Sequence, residues 1–187
     1  MDTLIPDPND LAVLIRVVQE AGALKTLRRA GWARVGVPEP ESVADHSYRV
    51  ALLALLLGPR LGLDAAAMVR IALVHDLGEA RLGDITPADR IVATEKARRE
   101  AIAFGEIVQG LPEGPALFDL WREYESGATP EARAVRQLDK LEMAFQALAY
   151  EYAYHHALDE FWSSTRAALT EPLFIEIFDR LTRERSG

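Results

Sequence analysis

Leu73-Val74-His75-Asp76-Leu77-Gly78-Glu79-Ala80 is the stretch on which the reading of this chain turns. An imidazole and a carboxylate stand side by side within an apolar run, and a second carboxylate follows three residues later. A buried, unpaired aspartate is costly, so the pair calls for a cation. Upstream, VADHSYRV supplies His46; downstream, RQLDKLEMA supplies Asp139. Two imidazoles and two carboxylates on separate helices suit one divalent ion: manganese, cobalt, iron, zinc or magnesium. Glu79 is four residues after His75 and three after Asp76, which places it on a neighbouring face of the same helix, within reach of a metal-bound water. Asp84 follows shortly after. A site of this make-up, with water in its open positions, suits hydrolysis of phosphate esters.

The same residues have plainer readings. Asp139 could pair with Arg133, Arg136 or Lys140 on its own helix, and His46 alone could be a satisfied core histidine. The case rests on their conjunction. His155 and His156 read differently, as surface residues near a helix end.

Around these motifs the periodicity is helical, and no stretch sustains apolar-polar alternation. Asp7-Pro8 offers a cap and a first-turn proline, followed by an apolar stripe of Leu11, Leu14, Ile15 and Val18. Ser42 and Asp45 resemble a capping box for a helix from about Val43 to Leu57, stopped by Gly58-Pro59. Asp64 caps the helix expected to carry the His-Asp pair. Thr86-Pro87 is expected to open a long Glu- and Arg-rich helix. Glu113 to Glu125 reads as a further helix, and Thr129-Pro130 starts another, running past Asp139 to about Tyr154. Two shorter helices flank Thr170-Glu171-Pro172. Between Leu27 and Glu41 the pattern breaks, and Arg28, Arg29, Trp32 and Arg34 fall in an irregular segment. The expectation is an all-α chain, a single domain over residues 1–187, with about six to eight helices and a metal-site core at about 42–145.

Composition narrows the partners. Of 187 residues, 49% are hydrophobic, enough for a sizeable core. The net charge of -8 argues against broad nucleic-acid binding, while a metal and an arginine can still attract a small anion. Without cysteine there is no disulfide and no thiol chemistry. MDTLIPDPND lacks a signal pattern, and the apolar run Ala51 to Leu57 is far below the ~20 residues of a membrane helix. A soluble, cytoplasmic protein with no membrane partner is expected.

The pattern H…HD…D resembles the HD-domain superfamily of metal-dependent phosphohydrolases. PESVADHSYRV, ALVHDLGEARLGDITPAD, LWREYE and QLDKLEM look more closely like its 5'-deoxynucleotidase branch, which holds the YfbR-like proteins and HD domain-containing protein 2. The resemblance runs from about Leu11 to the C-terminus. It implies a helical HD-domain bundle, a homodimer, one divalent metal ion, and hydrolysis of deoxyribonucleoside 5'-monophosphates. By the same resemblance the metal ligands are His46, His75, Asp76 and Asp139. Glu79 matches the acid that orients or deprotonates the attacking water. Asp84 matches an acid near the sugar and leaving oxygen. Trp32 matches the residue that senses the sugar, and its bland alternative is an anchor for the loop. Arg29 matches the phosphate-binding arginine, with Arg28 as rival and Arg34 as a further basic group. Other HD substrates (triphosphates, cyclic nucleotides, alarmones) and a non-catalytic, metal-stabilised nucleotide-binding dimer are the competing readings.

Overall fold

The computed structural model describes residues 7–186. The first six residues, on which part of the signal-peptide reading falls, lie outside them. The described residues form helices α1 (Pro8–Ala21), α2 (Ala30–Arg34), α3 (Val43–Leu57), α4 (Ala65–Val74), α5 (Glu79–Leu82), α6 (Ala93–Ile107), α7 (Gly114–Ser126), α8 (Pro130–Tyr154), α9 (Asp159–Ala168) and α10 (Pro172–Arg185). They contain no strand, only an isolated antiparallel bridge between Arg28 and Ser42. The fold is all-α. With the single turns α2 and α5 set aside, eight helices remain among the described residues.

Four helix starts lie where local chemistry puts them. Asp7 accepts from the Asn9 amide at 2.8 Å, Asp64 from Ala66 at 2.8 Å, and Thr129 from Ala132 at 3.1 Å. Each satisfies an amide that the first turn would leave without a partner. The capping box is closed in both directions: the Ser42 amide donates to Asp45 Oδ2 at 2.9 Å, and the Asp45 amide to Ser42 Oγ at 3.1 Å.

Three elements depart from the sequence reading. The helix expected to carry the His-Asp pair ends at Val74 and resumes at Glu79. Between them the chain tightens into i to i+3 bonds, with Leu77 N to Val74 O at 3.1 Å and Glu79 N to Asp76 O at 3.0 Å. Thr86-Pro87 opens only a short 3-10 turn, tied by Thr86 to Asp89. Arg90 then takes a positive φ of 54°, which an α-helix cannot contain, so α6 begins at Ala93. On α1, Leu14, Ile15 and Val18 are exposed, and the row Val13, Val17 and Ala21 packs inward instead.

The chain forms two compact units. The first takes in residues to Asp45 and Val74–Glu125; the second takes in His46–Leu73 and the chain from Ser126. The core of the first gathers Val17, Leu24, Val43, Leu77, Phe104, Ile107 and Trp121. Its aromatic centre is Phe104, Phe118 and Trp121, with ring centroids 5.4 to 5.8 Å apart. Thus Phe118 and Trp121 serve a core. Arg16 of α1 donates to Ile107 O at 3.0 Å and Gln109 O at 2.6 Å, satisfying carbonyls at the end of α6. A methyl on Gly78 would stand 3.3 Å from the Glu100 carbonyl, so α6 packs directly on the turn that follows His75-Asp76.

In the second unit α8 packs against α9 and α10. Gln137 Oε1 accepts from the Thr170 and Glu171 amides at 2.7 and 2.8 Å and so fastens the start of α10 to α8. Arg185 at the end of α10 returns to Glu151 at 2.7 Å and lies over the Trp162 ring. His155 ends α8 in a left-handed conformation, and both it and His156 are exposed. No helix among the described residues is long and apolar enough to cross a membrane.

Candidate functional site

In the first unit His75 and Asp76 occupy the tight turn between α4 and α5. His75 Nε2 lies 3.1 Å from Asp76 Oδ2, and the His75 ring packs 5.1 Å from that of Tyr124. Arg29 enters from the start of α2: its Nη1 is 3.4 Å from Asp76 Oδ2 and 3.9 Å from Asp84 Oδ1. Asp84 Oδ2 accepts the Ala30 amide at 2.7 Å and so caps α2. The irregular segment is therefore ordered around the acids. Of the rival arginines, Arg28 donates to the Pro40 carbonyl at 3.0 Å, whereas Arg29 faces Asp76 and Asp84.

Trp32 is 1% exposed and donates from Nε1 to Glu41 Oε1 at 2.9 Å. The Glu41 carbonyl accepts the Arg29 amide at 3.0 Å. The loop-anchor reading of Trp32 describes its surroundings well.

Glu79 is buried at the start of α5. Burial, then the negative charges of Asp76 and Asp84, push its carboxyl up to about 10, against the opposing pull of Arg29 and Lys96. Its Oε2 is enclosed and accepts no hydrogen bond among the described residues. Lys96 of α6 lies 3.0 Å from Glu100. Its partial burial works against its charge, yet Glu100, Glu79 and Asp76 together raise its pKa above the usual lysine range.

In the second unit His46 is fully buried on α3. Its Nδ1 lies 2.6 Å from Glu142 Oε2, and its Nε2 lies 3.2 Å from Asp139 Oδ1. Glu142 also accepts from Arg49 Nε at 2.7 Å. A carboxylate that already holds an arginine is an acceptor, which assigns the proton to Nδ1 and leaves a lone pair on Nε2. That lone pair and Asp139 Oδ1 converge where a cation fits. Lys140 pairs with the other oxygen, Asp139 Oδ2, at 3.1 Å, so the plain reading of Asp139 also holds, on a different atom.

Each unit thus presents an imidazole nitrogen about 3 Å from a carboxylate oxygen, the donor set of borderline and hard divalent ions. The residues fit such an ion. Against known proteins, the family described as HD domain matches residues 21–180.

The chain belongs to the HD-domain family.

This HD-domain protein is 42% identical to the 5'-deoxynucleotidase HDDC2 of Homo sapiens over 178 residues, 92% of this chain and 86% of that protein. A conserved hypothetical protein from Pyrococcus furiosus superposes with a TM-score of 0.78 at 36% identity, covering 90% of this chain and 99% of that one. A predicted metal-dependent phosphohydrolase from Magnetospirillum magnetotacticum superposes with a TM-score of 0.72 at 25% identity, covering 95% and 96%.

Four polar residues of these sites were missed in the sequence: Glu41, Arg49, Lys96 and Glu142. Glu142 carried a signal, since it stands one helical turn after Asp139 in an otherwise apolar stretch. Glu41, Arg49 and Lys96 look like ordinary surface charges until the fold places them.

Proposed function

We propose that this HD-domain protein is a metal-dependent 5'-deoxynucleotidase, which hydrolyses deoxyribonucleoside 5'-monophosphates to deoxynucleoside and phosphate. Relatives named for that activity, 36–42% identical over most of the chain, support it. The observation that carries it in the molecule is the Arg29 guanidinium 3.4 Å from Asp76, a phosphate-binding cation beside the His-Asp pair.

By the family resemblance His46, His75, Asp76 and Asp139 would hold one divalent ion, with manganese, cobalt, magnesium, zinc and iron all compatible with the donors. Such an ion lowers the pKa of water and polarises a phosphate oxygen. Glu142 fixes the His46 tautomer from behind. Glu79 orients the attacking water and takes its proton; a cation beside Asp76 favours the charged carboxylate that this requires. Arg29 neutralises the phosphate. Asp84 holds Arg29's neighbour Ala30 in place, and either protonates the leaving sugar oxygen or positions the 3'-hydroxyl. Trp32 backs the sugar side, where a 2'-hydroxyl is excluded by crowding.

The working molecule is a homodimer. Helix α3 is apolar on both sides: Val43, His46, Val50, Ala54 and Leu57 are buried, while Tyr48, Leu52, Leu55 and Leu56 are exposed along the opposite face. A helix with apolar side chains on two opposite faces is suited to burial on both, and a second copy of the chain supplies the missing cover.

Phosphate release from matched deoxyribonucleoside and ribonucleoside 5'-monophosphates tests the reading, in EDTA and then with each metal. Metal-dependent release from the deoxy substrates alone is expected. Release from both sugars removes the sugar selection, and silence with every metal removes the activity.

A further inference from the structure

We infer that Glu41 is the positioning residue for sugar selection, because it holds Arg29 and Trp32 in one register. This rests on the deoxynucleotidase reading and assigns a residue to its specificity. Two of the bonds Glu41 makes to the segment it faces differ in kind. Its backbone carbonyl accepts the Arg29 amide at 3.0 Å, and its side chain accepts the Trp32 indole N–H at 2.9 Å. Glu41 is 8% exposed and Trp32 1% exposed, so their bond forms out of water, where losing a partner is costly.

The surrounding bonds make the clamp specific. Val43 N to Leu27 O at 2.9 Å and the Arg28–Ser42 bridge close the base of the loop. Asp84 holds the Ala30 amide from the other side at 2.7 Å. Residues 29, 30 and 32 are thereby tied at three points, two of them to Glu41. Exclusion of a hydroxyl by crowding works only against a wall that does not yield. A displacement of about 1 Å can change a rate about 100-fold. Removing the indole's acceptor frees the wall while the backbone bond from Arg29 to Glu41 stays.

The test compares Glu41→Gln, which keeps an oxygen acceptor, with Glu41→Met, which has similar length and none. Each is measured for kcat and KM on a deoxyribonucleotide and its ribonucleotide partner, for bound metal, and for the indole N–H resonances of Trp32, Trp121 and Trp162 by NMR. For Glu41→Met the deoxy-over-ribo ratio of kcat/KM is expected to fall about tenfold or more, within the roughly 10- to 200-fold that one small group contributes to discrimination. The change should appear chiefly in KM, with the Trp32 resonance shifted, the other two unmoved and metal content intact. Glu41→Gln should restore the ratio to within about threefold of the parent protein. If Glu41→Met does not fold, Glu41→Asp, which withdraws the carboxylate by one methylene, carries the same comparison. An unchanged ratio in Glu41→Met or Glu41→Asp overturns the inference, as does equal loss on both sugars. If the parent protein itself fails to discriminate, the sugar-selection reading falls and this inference with it. A discriminating parent with an indifferent variant removes the role of Glu41 alone.

Discussion

Asp76 lies 3.4 Å from Arg29 and 3.1 Å from the His75 imidazole, and is assigned to the metal as well. Asp76→Ala should therefore lose bound metal and phosphate release together, which elemental analysis and a phosphate assay read side by side. Glu79→Gln should separate them, keeping the metal while turnover falls about 100- to 10,000-fold, the usual reach of a general base. Glu79 also leaves a mark on stability. Its folded carboxyl is pushed up to about 10 against an ordinary value of 4.5, so between these pH values the metal-free fold holds a proton that the unfolded chain has released. The stability this group contributes is complete below pH 4.5 and drains as pH rises toward 10. At about 1.36 kcal/mol per unit, the loss reaches about 3 kcal/mol by pH 7. Melting of EDTA-treated protein from pH 5 to 9 should fall more steeply for the parent than for Glu79→Gln; parallel curves would refute the raised value. Glu142→Ala should weaken metal affinity about 10- to 100-fold, since it releases the His46 Nδ1 proton from its acceptor. The residues proposed as metal ligands stood out in the sequence because His and Asp in apolar surroundings are anomalous there. Their supports did not, because Glu41 and Arg49 become informative only once folding buries one and pairs the other.

At the scale of the element, legibility followed the range of the forces. Asp7, Ser42, Asp64 and Thr129 cap by bonds spanning two or three residues, so sequence alone places those helix starts. The break at Val74 and the late start of α6 were hidden. The first is a change from i+4 to i+3 bonding within a sequence that suits either, and the second depends on the left-handed Arg90. Packing against neighbouring segments is equally invisible, as the inward turn of Val13 and Val17 shows. Gly114 gives this a measurable form. A methyl there would lie 2.6 Å from the Val108 carbonyl, a backbone atom that cannot swing away. Gly114→Ala should cost roughly 1–3 kcal/mol, the range for overpacking. Chemical denaturation reads it directly; a loss below a few tenths would mean that the α6–α7 connection yields freely.

For the whole molecule, the all-α class was legible from periodicity, while the division of contacts into two units was not. The unit boundaries fall beside residues proposed as metal ligands, at Asp45–His46 and at Leu73–Val74. No local pattern announces such a boundary, since it reflects contacts summed over distant segments. Assembly belongs to this scale. Leu52→Glu with Leu55→Glu places two charges on the exposed face of α3, and light scattering should show the mass halve. A parent protein that is already monomeric would remove the dimer from the proposal.

Asp84 has a consequence for how any survey of variants is interpreted. The same carboxylate that is proposed to act at the leaving oxygen or the 3'-hydroxyl also caps α2 through the Ala30 amide. A kinetic deficit in Asp84→Asn is thus a composite of lost proton handling and a loosened segment. The two parts separate without substrate. Hydrogen exchange at the Ala30 amide reports the segment alone, and only the deficit left after that correction belongs to the chemistry.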